Sequence, residues 1–360
     1  MAEPGYGKKP STLFHKKTMT QPSITTLPIN IPLIHSFLRS CQQDDGAIRW
    51  FDSGKLDPWD HTEAAMALSI IGDLSNAKRA YRWLRKHQAE NGSWQANYFS
   101  LDNSAKIETN FVAYPVTGLW HYFLITGDRE FLNEYFFMAE KAIAYVLKHQ
   151  NPEGDIQWAT SKNENLPKDA LITACSSILR SLECGINIAN TLKRPKPQWQ
   201  TAYHKLADAL LNRPWRFDRT WESKARYSMD WFYPILAGIY SQSEAKLRLQ
   251  KRWHEFVEDS LGCRCVSDEP WITVAESCEL VMACAAAGEG AKAETIFKWL
   301  AQWQDSDGGY WTGYSFRDKA IWPQEKTSWT AAAMLLAADA LYGITEASGL
   351  FTSRTTLHTN

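Results

Sequence analysis

One phrase constrains this chain of 360 residues more than any other feature, because it returns four times. A helix ends in Gln, an acidic turn centred on Gly follows, and a Trp closes the turn. The copies run Phe37-Leu38 to Gln42, Gly46 and Trp50; Trp83-Leu84 to Gln88, Gly92 and Trp94; Tyr145-Val146 to Gln150, Gly154 and Trp158; and Trp299-Leu300 to Gln304, Gly308 and Trp311. In each, an aromatic and aliphatic pair precedes the Gln by five and four residues. Self-similarity at long period marks a supersecondary unit that buries its apolar face only against its neighbours. The chain is therefore expected to be a ring of such units, with function where they converge.

Between the turns the apolar residues follow helical spacing, and strand-like alternation is absent over any useful length. The expected helices fall into two kinds. Segments 31–42, 75–88, 129–150, 199–212, 243–259 and 291–304 are amphipathic and charged, as helices with one wet face are. Segments 61–68, 110–120, 170–178, 231–240, 277–287 and 328–341 are small and apolar past their first turn, which suits a core. The two kinds alternate six times, with inner starts near positions 57, 108, 169, 230, 276 and 325. This pattern predicts an all-α, single-domain (α/α)6 toroid over residues 29–346. Residues 1–28, rich in Lys, Pro, Ser and Thr, read as a disordered arm or leader, and 347–360 as a C-terminal tail.

A net charge of −1 gives no electrostatic footprint for nucleic acid or an anionic membrane. No apolar run reaches the length that crosses a bilayer, and no signal-peptide core opens the chain, so a cytoplasmic protein acting on a small molecule is expected. Seven Cys without a secretion signal read as buried thiols. The closely spaced Cys263 and Cys265 lack a second such pair, so neither metal nor cofactor is expected.

Each inner helix is preceded or opened by an acid: Asp57, Asp60 and Glu63, then Glu108, Asp169, Asp230, Glu276 and Glu325. Acids at helix starts cap the free N–H groups and pair with the macrodipole. Capping does not account for what flanks them. Trp59 and His61 flank Asp60, Asn110 and Tyr114 follow Glu108, Tyr227 and Trp231 bracket Asp230, and Trp271 and Trp322 precede Glu276 and Glu325. With parallel inner helices all these groups face one end of the ring. Flat aromatic faces between carboxylates suit a sugar, which carries both C–H faces and hydroxyls. The Trp residues of the repeated phrase are expected instead to pack hairpin on hairpin, each N–H tied to a backbone oxygen.

The copy from Arg79 to Trp94 resembles the QW repeat of terpenoid cyclases and protein prenyltransferase β subunits, which implies an α/α toroid. The segment from Thr126 through Gln150 to Trp158 is similar to a hairpin of six-hairpin glycosidases. Against the first family, Asp57-Pro58-Trp59-Asp60 is not the Asp-X-Asp-Asp motif of class II cyclases, and neither an aspartate-rich diphosphate motif nor a prenyltransferase zinc set is matched.

The leading expectation is an enzyme that cleaves or rearranges a glycosidic bond, since hydrolysis needs two carboxyl groups flanking one bond. Asp60 is expected as one, with Asp230 or Glu276 across the ring as the other. Asp57, Trp59, His61, Glu108, Asn110, Tyr114, Tyr227, Trp231, Trp271 and Glu325 would line the cup. The first alternative is an isoprenoid enzyme with Asp60 or Asp57 as proton donor and aromatic rings steadying a carbocation. The second is a non-catalytic sugar or lipid binder.

Overall fold

The computed structural model describes residues 27–101 and 105–355, so the arm expected at 1–28 lies, but for its last two residues, outside the described residues. Outer helices α1 (Ile31–Cys41), α3 (Leu74–His87), α5 (Arg129–Leu147), α7 (Pro197–Asn212), α9 (Gln242–Phe256) and α11 (Gly290–Leu300) alternate with inner ones. The inner helices are α2 (Pro58–Ile70), α4 (Thr109–Thr126), α6 (Ile172–Thr191), α8 (Ser228–Leu236), α10 (Val274–Ala286) and α12 (Ser328–Tyr342). Each inner helix packs on the next, and α12 lies against α2. The result is a closed (α/α)6 toroid.

The two helix kinds behave as their sequences dictate. All 13 residues of α2 are buried. In α3 the apolar stripe of Ala77, Ala80, Tyr81 and Leu84 is buried while Arg82, Arg85 and Lys86 face water.

The repeated phrase is the device that joins hairpin to hairpin. In the first three copies its Gln donates from the side-chain amide to its own turn and to the next outer helix, and in the fourth Gln304 donates to its own turn at Gly308. Gln88 Nε2 reaches the carbonyls of Gly92 at 3.0 Å and Met138 at 2.9 Å, and Gln150 Nε2 those of Gly154 at 3.0 Å and Ala202 at 2.9 Å. Gln42 Nε2 reaches the Asn76 carbonyl at 3.0 Å. The turn glycines have positive φ, and their Cα atoms lie flat on the neighbouring helix. A Cβ on Gly46, Gly92, Gly154 or Gly308 would sit 2.4, 2.2, 2.1 or 2.1 Å from the carbonyl oxygen of Arg79, Lys141, Lys205 or Leu33. Only Gly satisfies both constraints. The first three copies fasten α1 to α3, α3 to α5 and α5 to α7; the fourth fastens the last hairpin to α1 and closes the ring. Trp94 packs as expected, its Nε1 donating to the Leu84 carbonyl at 2.9 Å. Trp50 departs from that pattern, since its Nε1 donates to the Asp57 carboxylate at 3.0 Å.

Strands are present where none was expected, because pieces of two or three residues cannot display an alternation. β1 (Lys106–Glu108) pairs with β2 (Ala159–Ser161). An antiparallel meander is formed by β3 (Val257–Glu258), β4 (Gly262–Arg264), β5 (Trp271–Thr273), β6 (Gly313–Ser315) and β7 (Ala320–Ile321). β1 runs directly into α4 and β5 into α10, so the ribbons brace the loops at the inner-helix N-termini. At the other end the expected tail is partly packed: Leu350 and Phe351 are buried, Tyr203 Oη meets Thr355 Oγ1 at 2.9 Å, and Arg180, paired with Glu183, donates to the Ser353 carbonyl at 3.0 Å.

Gly154→Ala should destabilise the fold by about 2 kcal/mol or more in urea unfolding, since a Cβ meets both positive φ and the Lys205 carbonyl. Gly72→Ala is the comparison: its φ is also positive, at +82°, but nothing lies within 4 Å of the added Cβ. It should cost only the backbone term, about 1 kcal/mol. Equal losses in the two variants would remove the interlock from the account.

Candidate active site

Register alone decides which side chains reach the axis. The second residues of the inner helices are Trp59, Asn110, Thr173, Met229, Ala275 and Trp329; the third are Asp60, Phe111, Ala174, Asp230, Glu276 and Thr330. Five of the six second residues, all but Ala275, line one cavity of about 330 Å3 at the N-terminal end of the ring. Trp50, Lys55, Asp57, Asp60, Lys106, Glu108 and Phe111 complete most of its wall. Three acids, Asp60, Asp230 and Glu276, thus occupy the same register on three helices.

Asp57 caps α2, accepting from the Asp60 N–H at 2.9 Å and from Trp50 at 3.0 Å. That cap turns Asp60 into the cavity wall, where its Oδ2 is buried and without a hydrogen-bond partner among the described residues. Burial drives the Asp60 pKa well above the usual carboxylate range, and the charges of Asp57, Glu63 and Glu276 push the same way against Lys55. Asp57 and Glu276 are also raised, each first by burial, but Asp57 is held back by its two hydrogen bonds and Glu276 in part by the Cys265 thiol.

One turn below, the sixth residues are Glu63, Tyr114, Ser177, Tyr233, Glu279 and Ala333. Tyr114 Oη donates to Glu63 Oε1 at 2.8 Å, and the Tyr114 ring stacks on Trp59 at 4.0 Å and 5°. Trp59, a residue of the cavity wall, is thereby fixed in place. Both oxygens of Glu279 are buried without a partner among the described residues, and burial with the Glu63, Glu276 and Asp60 charges raises its pKa.

Asp230 lies elsewhere than expected. It lines an adjoining lobe of about 300 Å3 with Leu171, Thr173, Lys224, Tyr227, Met229 and Cys265. Thr173 and Met229 border both lobes. Burial and the nearby Asp218 raise its pKa to about 7, against Arg248 and Arg252. Glu276 is buried behind the two walls and lines neither lobe; its charge reaches Asp60, a residue of the first, and it pairs with Cys265, a residue of the second.

Among the expected lining residues, Asp57, Trp59, Glu108 and Asn110 are at the first lobe and Tyr227 at the second; Tyr114 acts from behind Trp59. Four stand apart. His61 is a satisfied core histidine, Nδ1 accepting from the Ile48 N–H at 3.0 Å and Nε2 meeting the Ala80 carbonyl at 3.0 Å, and burial lowers its pKa to about 4. Trp231 turns outward to α9, stacked on Phe256 at 5.0 Å with its Nε1 donating to the Arg248 carbonyl. Trp271 packs edge-on against Trp322 beside a separate surface hollow. Glu325 is outside both lobes, its backbone carbonyl taking the Thr312 N–H at 3.0 Å. Sequence reasoning missed Trp50, Lys55, Lys106, Thr173, Met229 and Trp329. The last three were findable, as they share the helix register of Trp59. All seven cysteines are free, and among the described residues no group of three or more His, Cys, Asp or Glu is placed to hold a metal. No helix among the described residues is long and apolar enough to cross a membrane.

No family model matches the chain. An MMP endo-(1,4)-3-O-methyl-α-D-mannosidase of Mycolicibacterium hassiacum is 42% identical over 315 residues, covering 87% of this chain and 86% of its own length. Among solved structures, a wild-type glycosidase superposes with a TM-score of 0.69 at 15% identity, covering 87% of this chain and 97% of its own. A D-mannose isomerase gives 0.67 at 14% identity over 89% and 98%. A sugar epimerase from a ruminal bacterium gives 0.59 at 13% identity over 85% and 95%. At such identities the structures share the fold, and fold alone does not fix chemistry. None of these relatives is a terpenoid cyclase or prenyltransferase, so the repeated phrase marks toroid architecture, and the resemblance to six-hairpin glycosidases is the one they support.

The buried acids make stability depend on pH. Burial raises the Glu63 pKa from 4.5 to about 7. The folded chain therefore holds a proton that the unfolded chain has released; the stability from this is complete below about pH 4.5 and is lost as pH rises through 7. The melting temperature of Glu63→Gln should fall less between pH 4.5 and 7 than that of the wild type. Parallel pH profiles would mean that Glu63 ionises as an ordinary carboxyl.

Proposed function

The chain belongs to the family of the MMP endo-(1,4)-3-O-methyl-α-D-mannosidase, and from that premise we propose that it hydrolyses an internal α-(1,4) bond in an oligosaccharide of 3-O-methyl-D-mannose. The observation that carries the catalytic reading is the buried, unpartnered Asp60 Oδ2 on the cavity wall, its pKa raised furthest by burial and within Coulombic reach of Glu276, a second acid less strongly raised.

Hydrolysis needs one carboxyl group kept protonated and one ionised, and environments that push their pKa values apart assign the roles. Asp60 is the general acid, giving its proton to the glycosidic oxygen as the bond to the anomeric carbon breaks. Glu276 is the ionised partner; in the step that adds water it takes one proton while the water oxygen bonds to the anomeric carbon. Asp57 keeps Asp60 protonated by its charge and aims it by the α2 cap. The flat face of Trp59, backed by Tyr114, carries the C–H face of a sugar ring, while Asn110 and the Lys106–Glu108 pair, 2.8 Å apart, meet hydroxyls. Both imidazoles buried in the inner helices, His61 and His121, are outside the cavity wall with depressed pKa values, which leaves proton transfer to the carboxyls.

Asp60→Asn and Glu276→Gln should each lower kcat on 3-O-methylmannose oligosaccharides by about 10²-fold to 10⁴-fold with unchanged circular dichroism. Retained turnover in Asp60→Asn would dismiss it as the acid. Detection of the products by mass should show internal cleavage; release of single terminal sugars only would overturn the endo reading.

A further inference from the structure

The second lobe differs from the first in kind. The first surrounds a sugar with donors and acceptors of both signs: Asp57, Asp60, Glu108, Lys55, Lys106 and Asn110. In the second, Leu171, Met229 and Cys265 give an apolar wall, Thr173 and Tyr227 complete it, and the charged groups that reach it are Lys224 and Asp230. Lys224 offers donors only. Cys265 is engaged with Glu276. Asp230 is buried, and its carboxyl makes no hydrogen bond to another described residue, because Arg248 donates instead to the carbonyls of Asp230 at 3.0 Å and Trp231 at 2.6 Å. The groups facing it are Asp218, Lys224, Arg248 and Arg252.

A free sugar hydroxyl carries a proton that needs an acceptor, whereas an ether oxygen accepts only. Methylation removes a hydroxyl proton that would otherwise have to find one of the few acceptors in this lobe, and it adds apolar surface for Leu171, Met229 and Cys265 to cover. Resting on the function proposed above, we propose that this lobe is a methyl-ether pocket: Met229, Leu171 and Cys265 close round the O-methyl group of one sugar ring, and Asp230 donates its carboxyl proton to the ether oxygen. Asp230 is then a specificity residue rather than the second catalytic carboxyl. Its pKa of about 7 is consistent with a donor at neutral pH.

The test compares kcat/KM on 3-O-methylated and unmethylated α-(1,4)-manno-oligosaccharides of equal length. The wild type should prefer the methylated substrate by about 10-fold to 200-fold, the range one methyl group in a fitted pocket supplies. Met229→Gln and Asp230→Ala should bring the ratio towards one. Asp230→Asn keeps a donor and should keep the preference, whereas a catalytic Asp230 would lose turnover on both substrates. A wild-type ratio near one, or a ratio unmoved in Met229→Gln, overturns the pocket. Should neither substrate be cleaved, the proposed function fails by itself. Calorimetric binding of methyl 3-O-methyl-α-mannoside against methyl α-mannoside to wild type and Met229→Gln then still decides the lobe: preference for the ether that Met229→Gln weakens supports it, and equal binding refutes it.

Discussion

The contact on which the rest of the molecule depends is a glycine Cα lying on a neighbouring helix carbonyl, with a glutamine amide bridging three of the four such junctions. Gly46, Gly92, Gly154 and Gly308 bring each turn so close to the next outer helix that no side chain fits. A ring of helical hairpins has no central element to organise it; its geometry is the sum of its junctions. The Gly308 junction is the decisive one, because it joins the last hairpin to α1 and makes the array finite. The phrase is missing after α7 and α9; after α9 other donors serve, Gln302 Nε2 and Trp303 Nε1 reaching the carbonyls of Ser260 and Leu261 at 2.7 and 3.0 Å.

Closing the ring puts six helix N-termini at one end, and five of them contribute the same position, their second residue, to one cavity wall. This is how a repeat with little chemistry in its junctions builds a site with much. Second residues supply wall, third residues supply acids, and sixth residues supply a buried polar layer beneath. The layers are coupled through single contacts: Tyr114 ties Glu63 to the ring of Trp59, and Asp57 ties the Trp50 indole to the orientation of Asp60.

The sequence displayed the architecture because helical period and the recurrent phrase are both local signals. Inner helices begin within three residues of where the alternation of charged and apolar segments placed them. The acids at those starts were legible for the same reason. Direction was not. His61 and Trp231 neighbour cavity acids in sequence, yet each follows an acid by one residue on a helix, which rotates its side chain about 100° away, into the core or towards the outer layer. Trp271 was misread because it lies on a strand too short to announce itself. Met229, Thr173 and Trp329 carried no chemical signal, and only their shared register identifies them.

Equivalence of register does not make Asp60, Asp230 and Glu276 equivalent acids; their neighbours do the sorting. On α2 the residues three before and three after Asp60 are also acids, so its proton is held by like charge on both sides as well as by burial. On α10 Glu276 has the Cys265 thiol to stabilise its charge. On α8 Asp230 has arginines within Coulombic reach and an apolar lobe before it. Asp57, Asp60, Glu63, Glu276 and Glu279 form a buried stack in which the charged states oppose one another, an arrangement that destabilises the fold wherever those groups ionise. Such a stack persists only if stability comes from elsewhere, and the outer junctions are placed to supply it. The repeated glycines and glutamines at the periphery are, on this reasoning, the condition for the carboxyl cluster at the axis.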